Sequence, residues 1–144
     1  MNAENYAKGF LPSPGQVTAY HEPSGPGVRV DSSLVGPGVV SPNYDPMIAK
    51  LIVHGSTREL AIDRMRRALL EFIITGIRTN IPYHLAVLSD ADFRAGQYTT
   101  HFIDEHPQLV AEADMWAKRQ EPLLGLVRDP AKAAAIAAAV ALST

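Results

Sequence analysis

Glycine and proline punctuate the first third of the chain so closely that only short extended segments fit between them. Gly9, Pro12, Pro14 and Gly15 are followed by the cluster Glu22-Pro23-Ser24-Gly25-Pro26-Gly27, then by Gly36-Pro37-Gly38, and then by Pro46. Each proline biases the residue before it away from the helical region, so residues 5–15 read as an extended loop and the later clusters as turns. Between the turns, residues 16–21 and 28–34 alternate like strands. Alternation puts Val28 and Val30 on one face and Arg29 and Asp31 on the other. After Asn43-Tyr44-Asp45-Pro46-Met47 comes the most apolar run, residues 48–54, which reads as a central strand. Short strands joined by short turns predict a small antiparallel sheet.

The remainder is helical. Ser56-Thr57-Arg58-Glu59 fits a capping box, and Ala61, Met65, Ala68, Leu69 and Phe72 recur on one face, with Gly76 as the stop. Arg64, Arg66 and Arg67 lie off that face and read as a solvated surface or a protein interface rather than an anion site. Ile73, Ile74, Ile77 and Thr79 predict a short strand. Thr79 or Asn80 then caps a second helix, with Pro82 in its first turn and Tyr83, Leu85, Ala86, Val87 and Leu88 as its apolar side. Shorter helical turns follow over residues 89–92, closed by Gly96, and over 100–105, stopped by Pro107. Residues 109–120 form a helix anchored by Trp116, and a last alanine-rich helix over 131–141 opens at Asp129 or Pro130. The fold class is α+β, a small antiparallel β-sheet packed by helices and followed by a C-terminal helical segment.

At 144 residues the chain is one domain or one piece of a larger protein, and 47% hydrophobic residues suit a soluble globular class. A formal charge of −2 argues against nucleic-acid binding. The absence of cysteine excludes disulfides, cysteine–zinc sites and thiol catalysis, and is compatible with a cytoplasmic setting. No apolar run is long enough for a membrane span and no signal peptide is evident. Both termini read as cut, so the chain is expected to be an excised fragment.

No self-contained active site emerges. His21, His54, His84, His101 and His106 lack metal-ligand spacing, and His101 and His106 near Asp104 and Glu105 are too few for a metal centre. No serine sits in a nucleophile elbow. The glycines at 25, 27, 36 and 38 match no phosphate loop, because Pro26 and Pro37 remove backbone donors. From spacing alone, Arg29 is a solvated strand-edge charge beside a salt-bridge partner.

The wording of the segments says more. FLPSPG at residues 10–15, GVRVDS at 27–32, YDPMIAKL at 44–51 and GIRTN at 76–80 stand in an order and spacing that resemble the C-terminal subdomain of biotin carboxylase, the ATP-dependent component of biotin-dependent carboxylases. The resemblance covers residues 2–109. Residues 110–144 resemble the variable helical linker toward downstream modules in acyl-CoA carboxylase alpha chains. Asn43 departs from the pattern, where relatives commonly carry an aromatic residue.

The resemblance implies an enzyme that uses ATP, magnesium and bicarbonate to carboxylate biotin on a carrier protein, within an acyl-CoA or pyruvate carboxylase. It places Arg29 at the ureido oxygen of biotin as the catalytic and biotin-binding residue. A guanidinium suits that oxygen because it stays charged and presents aligned donors. Asp31 either orients Arg29 or has a purely structural role. Tyr44, Asp45 and Lys50 are expected to pack and hydrogen-bond. No metal ligand is expected in the chain, because the nucleotide, metal and bicarbonate residues of the family lie upstream, and the fragment alone is expected to be inactive. Expected partners are the rest of the biotin carboxylase chain, a carboxyltransferase subunit, the biotin carboxyl carrier domain and a second copy in a homodimer. His54 and the start of the Ser56 helix are the candidates for that dimer surface. The alternative is a non-catalytic interaction module that keeps the fold.

Overall fold

A computed structural model describes residues 1–128, and the helix expected over 131–141 lies outside the described residues. The chain is an α+β body built from antiparallel strand pairs and helices. Strands β1 (Glu4–Asn5) and β2 (Leu11–Pro12) pair around a 3-10 turn at Tyr6–Lys8, where a plain extended loop was expected. The turn ends at Gly9, whose φ of 65° is the left-handed conformation that glycine tolerates.

The strand expected over 16–21 divides at Thr18 into β3 (Gly15–Val17) and β4 (Ala19–His21). Each half finds a different partner. β3 pairs with β6 (Gly38–Val40), and β4 pairs with β8 (Ile73–Thr75). At the division the Thr18 N–H donates to the Thr75 carbonyl at 2.9 Å, and the two threonine hydroxyls lie 2.8 Å apart. β5 (Val28–Ser32) skips β6 and pairs with β7 (Ala49–Val53). The central place expected for this apolar run is not realised, because β5–β7 is a two-stranded pair; only Ile48, just before β7, is bonded on both sides. Ile48 N–H donates to Met1 O at 2.8 Å, while its carbonyl accepts from Ser33 at 2.9 Å. From Lys50 onward the described ladder is with β5 alone.

Helix α1 (Arg58–Glu71) is capped by Thr57, whose hydroxyl accepts from Leu60 N–H at 3.2 Å, one residue later than the expected serine. The helix stops at Phe72 rather than Gly76, because the β-branched Ile73–Thr75 leaves it at once to pair with β4. Gly76 instead turns the chain at φ 95°, pressed against the Gln16 carbonyl. α2 (Ile81–Val87) begins after Asn80 with Pro82 in its first turn. The Asn80 side chain does not cap it. Its Oδ1 accepts from Asn2 N–H at 3.0 Å and its Nδ2 donates to Glu4 at 3.3 Å, which ties the amino-terminal segment to α2.

α3 (Ala91–Ala95) is capped by Asp90 and closed by Gly96, and α4 (Phe102–Glu105) follows. α5 (Leu109–Arg128) runs past the expected end and through Pro122. α2 divides the core. Ile81 and Leu85 join Val17, Ile48, Leu69, Phe72 and Ile74 on one side. Tyr83 and Ala86 meet Tyr6, Phe102, Leu109 and Ala113 on the other. Trp116 packs against both clusters, as its size requires.

Candidate functional site

Arg29 and Asp31 occupy the outer face of the β5–β7 pair, while Val30 and Leu51 on its inner face pack against the core. Their side chains form a fork-to-fork ion pair, with Arg29 Nε donating to Asp31 Oδ1 at 2.8 Å and Nη2 to Oδ2 at 2.9 Å. The pair is open to solvent, 73% exposed at Arg29 and 42% at Asp31. The hydrogen bond between them holds the carboxyl below its ordinary range and raises the guanidinium further, so both stay ionised. Two of the five guanidinium N–H groups are taken, and among the described residues the Nη1 edge is free of hydrogen bonds. The sequence pairing of Arg29 with Asp31 is therefore realised as direct contact.

The register brings further residues to this face. Ile52 lies opposite Arg29 and Lys50 opposite Asp31. Ile52 is 44% exposed and Lys50 is exposed. A cavity of about 300 Å³ at this end of the pair is lined by Asp31, Ser33, Met47 and Lys50 among others. Tyr44, expected to pack, is 82% exposed. Asp45 does bond locally, accepting from Met47 N–H at 2.8 Å. On the inner side the Tyr20 hydroxyl bonds Ser32 and Glu22, and burial above all pushes it up to about 12.

The α1 arginines are engaged within the chain rather than merely solvated. Arg64 donates to the His54 carbonyl, Arg67 pairs with Glu71 at 2.7 Å, and Arg66 lies over the Trp116 ring at 5.7 Å. Arg58 donates to the Phe93 carbonyl and sits over the Phe93 and Tyr98 rings at 5.1 and 5.5 Å. The imidazole of His54 is solvent-facing.

Among the described residues one group has the composition of a metal site, Asp90, Asp92 and His106, with ligand atoms within 4.8 Å of one another. His106 Nδ1 lies 2.8 Å from the Phe102 carbonyl and Nε2 lies 3.3 Å from Asp92, while Asp90 caps α3 through Phe93 N–H at 2.9 Å. These bonds explain the group as a clamp between the start of α3 and the end of α4. Sequence proximity pairs His106 with Asp104 and Glu105, whereas its carboxylates come from the preceding helix. A separate cavity of about 770 Å³, lined by Tyr6, Thr18, Arg78 and Gln120 among others, does not include Arg29.

Residues 1–105 match the family model described as the biotin carboxylase C-terminal domain. The chain is 49% identical over 106 residues to biotin carboxylase 1 of Bacillus subtilis, covering 74% of this chain and 24% of that protein. It is 52% identical over 105 residues to biotin carboxylase of Haemophilus influenzae, covering 73% and 23%. The biotin carboxylase domain dimer of Hydrogenobacter thermophilus 2-oxoglutarate carboxylase, solved with MgADP, ADP and bicarbonate, superposes with a TM-score of 0.73 at 43% identity. That alignment covers 76% of this chain and 24% of the other. The chain thus spans less than a quarter of the length of these curated relatives. With the motifs, the α+β architecture and the match all in agreement, the chain belongs to the biotin carboxylase C-terminal domain family.

Proposed function

We propose that this chain works as the C-terminal part of an ATP-dependent biotin carboxylase and supplies Arg29 to the ureido oxygen of biotin. The observation that carries the reading is the state of Arg29: exposed, ionised, and held by Asp31 along one edge while its Nη1 edge is free. A small carbonyl acceptor on which negative charge develops fits that edge. Biotin, when bound, supplies the ureido nitrogen that accepts the carboxyl group. Negative charge that develops on the ureido oxygen of bound biotin would be stabilised by Arg29. Asp31 fixes the orientation of the guanidinium.

ATP, magnesium and bicarbonate are used by the whole enzyme, through residues upstream of this chain. Residues 110–144 lead toward further modules. The partners are the upstream part of the enzyme, a carboxyltransferase subunit, the biotin carboxyl carrier domain and a second copy. The complete enzyme acts in the cytoplasm on an acyl-CoA or pyruvate pathway, and this chain alone is inactive.

The test is biotin-dependent ATP cleavage by this chain, by the enzyme extended upstream, and by the extended enzyme carrying Arg29→Ala. Activity only in the extended protein, reduced about 100- to 1,000-fold by Arg29→Ala, is the expected result, by comparison with loss of one oxyanion donor. A full rate in the variant would remove Arg29 from the reaction. Inactivity of an intact extended protein would make this chain an interaction module instead.

A further inference from the structure

The face that carries Arg29 contains a contradiction if only Arg29 and Asp31 are considered. The carboxylate that orients the guanidinium also cancels its charge. A neutral fork-to-fork pair offers a developing anion a dipole and hydrogen-bond donors, but no net positive field.

Strand pairing supplies what is missing. Lys50 stands directly opposite Asp31 in the antiparallel β5–β7 register, on the same outward face, with Cβ atoms about 5 Å apart for such a pair. It is exposed, and no ion pair within 4 Å engages its ammonium among the described residues. Lys50 and Asp31 also share the wall of the 300 Å³ cavity. Asp31 feels Lys50 as well as Arg29, since both charges help to lower its carboxyl. With Lys50 included, the three charged residues Arg29, Asp31 and Lys50 carry a single net positive charge.

We infer that Lys50 is a positioning residue for the biotin site: by neutralising Asp31 from across the ladder, it lets Asp31 hold Arg29 without cancelling its field. The inference rests on the biotin-site reading of Arg29. Lys50 acts through Asp31 and need not touch biotin. Its effect falls on the step in which charge develops, and so on kcat more than on the KM for biotin.

The experiment uses the complete enzyme that contains this chain, with free biotin as substrate, and compares Lys50→Gln, Lys50→Arg, Asp31→Asn, the Lys50→Gln/Asp31→Asn double variant and Arg29→Ala. Lys50→Gln is expected to lower kcat about fivefold, the upper size of one charge interaction at a solvent-facing site, with KM for biotin within about twofold. Lys50→Arg keeps the charge and is expected to stay within about twofold of the parent. With Asp31 already neutral, Lys50→Gln is expected to cost less than about threefold, because the two effects share one partner. An unchanged kcat in Lys50→Gln overturns the inference. Equal losses in Lys50→Gln and Lys50→Arg also overturn it, because they mark a requirement for shape rather than charge. If Arg29→Ala keeps full rate, the biotin-site reading falls and takes this inference with it. If Arg29→Ala is inactive while Lys50→Gln is normal, only the role of Lys50 falls.

Discussion

Gly76→Ala tests the crossing where the β3–β6 and β4–β8 pairs meet. Gly76 sits at φ 95°, and a Cβ built there would lie 2.1 Å from the Gln16 carbonyl oxygen and 3.1 Å from Thr18 N. An alanine at positive φ costs about 1–2 kcal/mol before any contact is considered. The contact then forces Gln16 and Thr18 away by about 1 Å, an overpacking strain of about 1–3 kcal/mol. That movement also pulls on the Thr18–Thr75 backbone and hydroxyl bonds, where β3 hands over to β4. The expected destabilisation is about 2–5 kcal/mol. Gly9 provides the control, since its φ is 65° and nothing lies within 4 Å of its Cβ position. Gly9→Ala carries only the backbone cost, about 1–2 kcal/mol. Urea unfolding of both variants followed by circular dichroism reads the difference directly. If the two lose the same stability, the close approach at Gly76 contributes nothing and the reasoning is wrong.

Two histidines make opposite pH predictions. Burial, aided by the charge of the Met1 amino group, pushes His84 down to about 4, so the folded protein keeps it neutral while the unfolded chain protonates near 6.5. Its contribution is complete above about pH 6.5 and is lost on acidification toward pH 4, with a ceiling of about 3 kcal/mol. His84→Leu is expected to flatten this slope in unfolding free energies measured from pH 4 to 7, and an undiminished slope would acquit His84. His106 is raised instead, first by its bond with the Phe102 carbonyl and then by Asp92 and Asp90. Its contribution is complete below the ordinary histidine value and is lost as pH climbs through the raised one. NMR titration should place His106 above the ordinary value, with Asp92→Asn bringing it down; titration at the ordinary value would contradict the clamp.

What the sequence discloses is mostly what neighbours along the chain decide. The α1 apolar face, Pro82 in the first turn of α2, and the Asp90-to-Gly96 helical turn all depend on residues within a few positions, and each stands in the structure. The departures arise where a distant segment decides. Residues 16–21 alternate without a break, yet the strand divides at Thr18 because its halves meet two different strands, β6 and β8. His106 finds its carboxylates across two short helices rather than beside it, since Asp104 on its own helix faces solvent.

The Arg29 site shows the same division within a few ångströms. Arg29 and Asp31 are two apart in one strand, so alternation alone places them on one face, and their contact follows. Lys50 is nineteen positions beyond Asp31 in the sequence, and β6 intervenes (a count that proximity rules would discard). Its place opposite Asp31 follows only from the register in which Val28 faces Val53 and Val30 faces Leu51. That register is set by the inner face, where Val30 and Leu51 pack on the core. A slip of β7 by one residue would turn Leu51 outward and carry Lys50 inward. The apolar requirement of one face thus fixes the charge arrangement of the other.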